Sequence, residues 1–128
     1  MNESESAKAT IRMISEAIDA GNLEVLDDHP GYWQTREFMP RLKEAFPDLR
    51  HSIQAQIAEG DMVATFSIVS GTHEGPFFGI PPSGRRVSFQ HLDLDRVVEG
   101  RVVSHNAESG WLGVLLEWGV LPLQREAQ

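Results

Sequence analysis

The chain has 128 residues, no cysteine, 41% hydrophobic residues and a formal net charge of −8. That length suits one domain spanning 1–128 with a real core, and the missing cysteine excludes disulfides, thiolate nucleophiles and cysteine-based zinc sites. The acidic balance argues against nucleic acid or an anionic membrane as a partner, because both demand a basic face. Met-Asn-Glu-Ser-Glu-Ser at the start has no basic region and no apolar stretch behind it, and no window approaches the roughly 18 apolar residues of a membrane span. A cytoplasmic protein is the expectation.

Residues 5–20 read as a helix, since Ala7, Ile11, Ile14 and Ile18 recur at helical spacing. Asn2 with Glu5 resembles a capping box, and Gly21 is a natural stop. Asn22 can cap a short helix from Leu23 to Asp28, and His29-Pro30-Gly31-Tyr32-Trp33 is then an irregular aromatic linker. A third helix follows from Thr35 to Phe46, with Phe38, Met39, Leu42, Ala45 and Phe46 on one side and Pro47 ending it. After that the period changes to two. Ile53, Ala55 and Ile57 alternate with Ser52, Gln54 and Gln56 as in a half-buried strand, Glu59-Gly60-Asp61 turns, and Met62 to Ser70 is a more apolar strand.

Gly71 to Arg86 holds four glycines and three prolines in sixteen residues, so it is neither regular helix nor central strand. It reads as a long crossover whose Phe77, Phe78 and Ile80 form an apolar underside, and a loop of this length in a compact domain is functional or tied down. It is expected to rim a pocket. Strands Arg86 to Val97 and Arg101 to Glu108 follow, joined at Glu99-Gly100. Gly110 then breaks the chain before a short apolar helix from Trp111 to Trp118, and Leu121-Pro122-Leu123 leads into a polar tail. Helices first and an antiparallel meander afterwards argue an α+β fold, and a sheet curled round the helices makes a cone with an open mouth.

The clearest chemistry lies on the third strand. Alternation places Phe89, His91, Asp93 and Asp95 on one face and Ser88, Gln90, Leu92, Leu94 and Arg96 on the other. If the first face lines a cavity, desolvation raises an aspartate toward a useful acid/base range and His91 can orient it or share its proton. If Leu92 and Leu94 point inward instead, the acids are solvated or paired with an arginine such as Arg86 or Arg101. Trp33, Phe38, Phe77, Phe78 and Trp111 are candidates to grip a flat apolar ligand, with core packing as the alternative for each. His73 in the rim loop either touches ligand or holds the loop together. His29 and His51 read as surface residues. No His-x-His or His-x-x-x-His spacing occurs, so no metal site is expected. Ser83, Ser104 and Ser109 lack a nucleophile elbow.

Ala45-Phe-Pro-Asp-Leu-Arg50, Glu59-Gly-Asp-Met-Val63, Gly71-Thr-His-Glu-Gly-Pro-Phe77, Gly79-Ile-Pro-Pro-Ser-Gly-Arg-Arg-Val87, Val98-Glu-Gly-Arg-Val-Val103 and Leu115-Leu-Glu-Trp-Gly119 stand in the order seen in SnoaL-like polyketide cyclases. The resemblance runs from about Thr35 to Pro122. It implies a cone-shaped α+β fold of the nuclear transport factor 2-like type, a hydrophobic cavity, a homodimer, and acid/base chemistry on a small hydrophobic carbonyl compound without a cofactor. His105 fills the family's histidine position, which makes it a second candidate for the cavity. The family reads His-Trp followed by an aspartate here. In this chain Asn106 stands for the tryptophan and Gly110 for the aspartate, with Glu108 nearby as a displaced acid. Asp93, His91 and His105 are therefore the catalytic candidates. Trp33, Phe38, His73, Phe77, Phe78, Phe89, Asn106, Glu108 and Trp111 are the binding candidates. The expected activity is a cyclase or isomerase type; the alternative is a dimeric binding or accessory protein that kept the cavity and lost the acid.

Overall fold

The computed structural model describes residues 2–119, so the apolar step at 121–123 and the polar tail lie outside the described residues. Helix α1 (Glu3–Asp19) starts where the Asn2 side chain accepts the Glu5 N–H at 2.9 Å, and it ends before Gly21, whose φ of +83° suits glycine. Its Ala7, Thr10, Ile11, Ile14 and Ile18 form one buried stripe. Burying each isoleucine stabilises by about 1.5–3 kcal/mol relative to exposing it. Two 3₁₀ segments, Leu23–Asp28 and Pro30–Tyr32, carry the chain to helix α2 (Trp33–Ala45). The linker around Tyr32 is thus ordered rather than irregular. Met39, Leu42 and Ala45 face the core from α2, while Phe38 stands at its edge.

Strands β1 (Arg50–Glu59), β2 (Met62–Thr72), β3 (Arg86–Val98) and β4 (Arg101–Ser109) form an antiparallel sheet in chain order. The helices pack on one face of this curled sheet: α1 lies across β1 and β2, the Pro30–Tyr32 turn lies on β4, and a short α3 (Trp111–Glu117) touches β3. The inner face of β2 carries Val63, Thr65, Ser67, Val69 and Gly71, all buried. In register with them on β3 stand Asp95, Asp93, His91, Phe89 and Val87. Leu92 and Leu94 point out, 51% and 45% exposed.

A bulge between Ile53 and Ala55 breaks the simple alternation of β1. An extra residue flips every later side chain. His51 and Ile53 face in, but after the bulge Gln56 and Ala58 face in while Ala55 and Ile57 face out. Ile53, Ala55 and Ile57 therefore do not share a face.

The Gly-Pro crossover is tied down at both ends. Glu74 and Gly75 donate their N–H groups to the Ala45 carbonyl at 2.9 and 3.1 Å, and His73 and Gly84 bond back across the base of the loop. Gly75 sits so close to α2 that a Cβ there would lie 2.3 Å from the Glu44 carbonyl oxygen. Phe77 is the buried underside, packed on Phe46 and Trp111, whereas Phe78 at φ +50° is largely exposed and Ile80 half-buried. At the other end Asp48 accepts the Thr72 N–H at 2.7 Å, the Thr72 hydroxyl at 2.8 Å and an Arg86 Nη1–H at 3.2 Å.

Candidate functional site

Between the helices and the inner sheet face lies a cavity of about 830 Å³. Its apolar wall comes from Ile11, Ile14, Ile18, Met39, Leu42 and Phe89, and Trp111, Phe38 and Phe78 border it where it opens. Against this wall stands a polar floor built by β3 and β4. The register sets His91 opposite Ser109, Asp93 opposite Ala107 and Asp95 opposite His105, all on the inner face.

Two carboxylate–imidazole pairs result. His91 Nε2 lies 2.7 Å from Asp93 Oδ1, and His91 Nδ1 meets the Ser109 hydroxyl. The first contact is close but poorly aligned for a hydrogen bond, so Asp93 Oδ1 retains acceptor capacity. Both side chains remain partly open to the cavity. The arginines weighed as partners for Asp93 are elsewhere: Arg86 is on Asp48, and Arg101 donates to the Asp28 carbonyl. His105 Nδ1 bonds Asp95 Oδ1 at 2.5 Å. Asp95 has no exposed surface, and burial pushes its carboxyl above the usual range; the His105 bond and charge oppose this, while the Asp93 charge adds to it.

Tyr32 completes this wall, its ring stacked on His105 with centroids 4.1 Å apart. Burial first, then the charges of Asp95 and Asp93, push its phenol well above the ordinary tyrosine range, so it stays a hydroxyl donor. Across the cavity, His51 of β1 is held by Asp19 of α1, which takes its backbone N–H at 2.9 Å and its Nδ1 at 2.7 Å.

The cavity gathers His91, Asp93, His105, Phe89 and Trp111, with Phe38 and Phe78 at the mouth. Asn106 and Glu108 stand on the alternate face of β4, exposed and in register with Leu94 and Leu92. They point away from the dyads, although the strand edge carrying them borders the open space. Trp33, 62% exposed, lies in a separate groove between α2 and the crossover, which Phe77 also lines. His73 is wholly buried: it stacks between Phe46 and Trp118 and bonds Ser83 through Nδ1, so it holds the loop. His29 is also buried, not a surface residue; its Nδ1 accepts the Val102 N–H at 3.0 Å.

Sequence reasoning placed Asp95 on this face without giving it a role, read His51 as a surface residue although it is largely buried at the cavity, and passed over Tyr32 and Asp19. Alternation alone places Asp95 beside Asp93. Tyr32 is the one tyrosine of the chain, but no local pattern marks it, and 32 residues separate Asp19 from His51. Among the described residues no three histidine or acidic side chains converge as a metal site, and no helix is long and apolar enough to cross a membrane.

Helices on a curled antiparallel sheet, enclosing an apolar cavity with a carboxylate–histidine floor, define a cone-fold protein of the nuclear transport factor 2-like type, built to hold a small molecule. The profile of the SnoaL-like polyketide cyclases matches residues 3–115, and the chain belongs to that family. Aklanonic acid methyl ester cyclase of Streptomyces peucetius is 32% identical over 79 residues, covering 61% of this chain and 54% of that protein. Nogalonic acid methyl ester cyclase of Streptomyces nogalater is 32% identical over 60 residues, covering 47% and 45%. The chain thus spans about half the length of the curated relatives it matches. Among solved structures, AclR of Streptomyces galilaeus, provisionally assigned as a hydroxylase, superposes with a TM-score of 0.85 at 27% identity, over 96% of this chain and 87% of its own. TsrD of Streptomyces laurentii gives 0.79 at 27% identity, over 91% and 97%.

Proposed function

We propose that this protein is a cofactor-independent cyclase or isomerase acting on a small, hydrophobic, carbonyl-bearing molecule of polyketide type. One observation carries the reading: the Asp93 carboxylate, backed by His91 at 2.7 Å and by no arginine among the described residues, borders a cavity whose facing wall is apolar. A carboxylate so placed can take a proton from a carbon next to a carbonyl. The Tyr32 hydroxyl and His105 stand on the adjacent wall, where donors can receive the negative charge that develops on the carbonyl oxygen. Asp95, fully buried behind His105, orients that imidazole and does not itself meet the substrate. The ester cyclases among the relatives support a methyl ester of a polyketide acid as substrate.

The test is turnover of aklanonic acid methyl ester by this chain alone. Asp93→Asn, which keeps shape and removes the base, is expected to lower kcat by about 10²–10⁴-fold, the usual contribution of a positioned acid or base. Undiminished turnover in that variant refutes the role of Asp93.

A second reading has its own support. Gly110 occupies the position where the family carries its aspartate, and a Cβ there would lie 3.3 Å from the Phe89 Cβ, leaving a side chain little room. A binding or accessory protein that lost the acid fits that feature. Tight ligand binding with no turnover of any carbonyl substrate favours it.

The outer sheet face suits a homodimer. Ile57 at 73% exposure, Ala64 and Leu94 stand in one row across the strands there, and Ala55, half-buried Phe66 and Leu92 stand in the next. A contiguous exposed apolar patch of this sort marks an interaction surface.

A further inference from the structure

We infer that His51, held by Asp19, is a second acid/base group of the cavity, and that it delivers a proton to the oxygen of the carbonyl attacked in an intramolecular aldol closure. This inference rests on the acid/base reading of Asp93 and names the reaction at that site: the substrate carries two carbonyls, one whose neighbouring carbon is deprotonated and one that is attacked.

The geometry is that of an oriented base. Asp19 takes both the backbone N–H of His51 and its Nδ1, at 2.9 and 2.7 Å, so the ring is fixed at two points. With Nδ1 committed to the carboxylate, Nε2 is the exchanging nitrogen. Nε2 has no hydrogen-bond partner among the described residues, and the ring lines the cavity. Around it stand Asp19 from α1, whose carbonyl takes the Lys43 ammonium of α2 at 3.1 Å, the His91 ring of β3 with its centroid 5.8 Å away, and apolar Val69 opposite it on β2.

The proton balance closes within this set. Asp93 takes the proton from carbon, and the C–H electron pair forms the new C–C bond. The π pair of the attacked carbonyl moves to its oxygen, which takes the proton from Nε2 of protonated His51. Asp93 then holds one proton more and His51 one fewer. The second nitrogen of His91 is held by the Ser109 hydroxyl and makes no bond to His51, so Asp93 and His51 recover their starting protonation by exchange with solvent at the cavity mouth. Tyr32 and His105 serve the other oxygen, that of the enolate. Asp19 is a positioning residue.

The test uses one diketone, ortho-acetylphenylacetone, and two readouts. Closure with loss of water gives a fluorescent methylnaphthol; exchange of its α-hydrogens in D₂O reports deprotonation alone. His51→Gln is expected to close the diketone at least ~100-fold more slowly through kcat, with KM little changed, while still exchanging the α-hydrogens. Asp19→Asn follows the same split more weakly, and retained exchange shows that both variants are folded. Asp93→Asn loses both signals, which separates failure of the base from failure of this inference. Closure by His51→Gln at the wild-type rate overturns the role of His51, as does wild-type protein that exchanges the α-hydrogens without closing the ring.

Discussion

Replacing His105 by alanine removes the partner of a carboxylate that has no water to turn to. Asp95 has 0% exposure, its Oδ1 is bonded to His105, and its Oδ2 has no partner among the described residues. Removing one member of a buried pair costs about 3–5 kcal/mol, and loss of the stack on Tyr32 adds about 0.5–1.5 kcal/mol. Against a total stability of about 5–15 kcal/mol, such a change is large. Protonation limits it. Burial already pushes Asp95 up, and His105 is the main restraint, so without His105 the carboxyl moves higher still. Between the unfolded value, about 3.9, and that raised value the folded state binds the extra proton, so stability falls as pH rises. In urea unfolding, His105→Ala is therefore expected to lose about 3–5 kcal/mol at pH 8 and clearly less at pH 5, and adding Asp95→Asn should recover part of the loss. A loss below about 1 kcal/mol at both pH values refutes the idea that Asp95 depends on His105.

Burial lowers the imidazole of His29, with Arg101 acting in the same direction and Asp28 opposing them. Above about pH 6.5 both folded and unfolded states hold it neutral. As pH falls from there toward the lowered value the unfolded chain takes the proton first, so stability drops across that window. His29→Asn keeps an acceptor for the Val102 N–H and should flatten this part of the pH–stability curve. Gly75→Ala drives a Cβ into the Glu44 carbonyl, which is backbone and cannot step aside; a loss of about 1–3 kcal/mol and faster proteolysis at Arg85-Arg86 are expected. Leu92→Glu on the outer sheet face should shift the protein to monomer in size-exclusion chromatography with light scattering, and an unchanged mass refutes that interface.

What was legible in the sequence was whatever depends on neighbours along the chain. Helix α1 showed itself because its isoleucines repeat at the helical period. The crossover showed itself because glycine and proline forbid regular structure, and the companionship of His91 with Asp93 followed from strand alternation. That same alternation could not say which face of β3 turns inward, since Phe89 with three polar residues and Leu92 with Leu94 are both plausible linings. Only the packing of α1 and the Pro30–Tyr32 turn on the sheet decided it, by enclosing the polar face and leaving the leucines outside. The bulge after Ile53 is likewise invisible locally, yet it reverses Ala55 and Ile57. The pairings of Asp19 with His51 and of Tyr32 with His105 join residues brought together only when the helices close over the sheet. A sequence period reports the shape of one element; burial and charge pairing are properties of two elements in contact, and so they were settled by the tertiary structure.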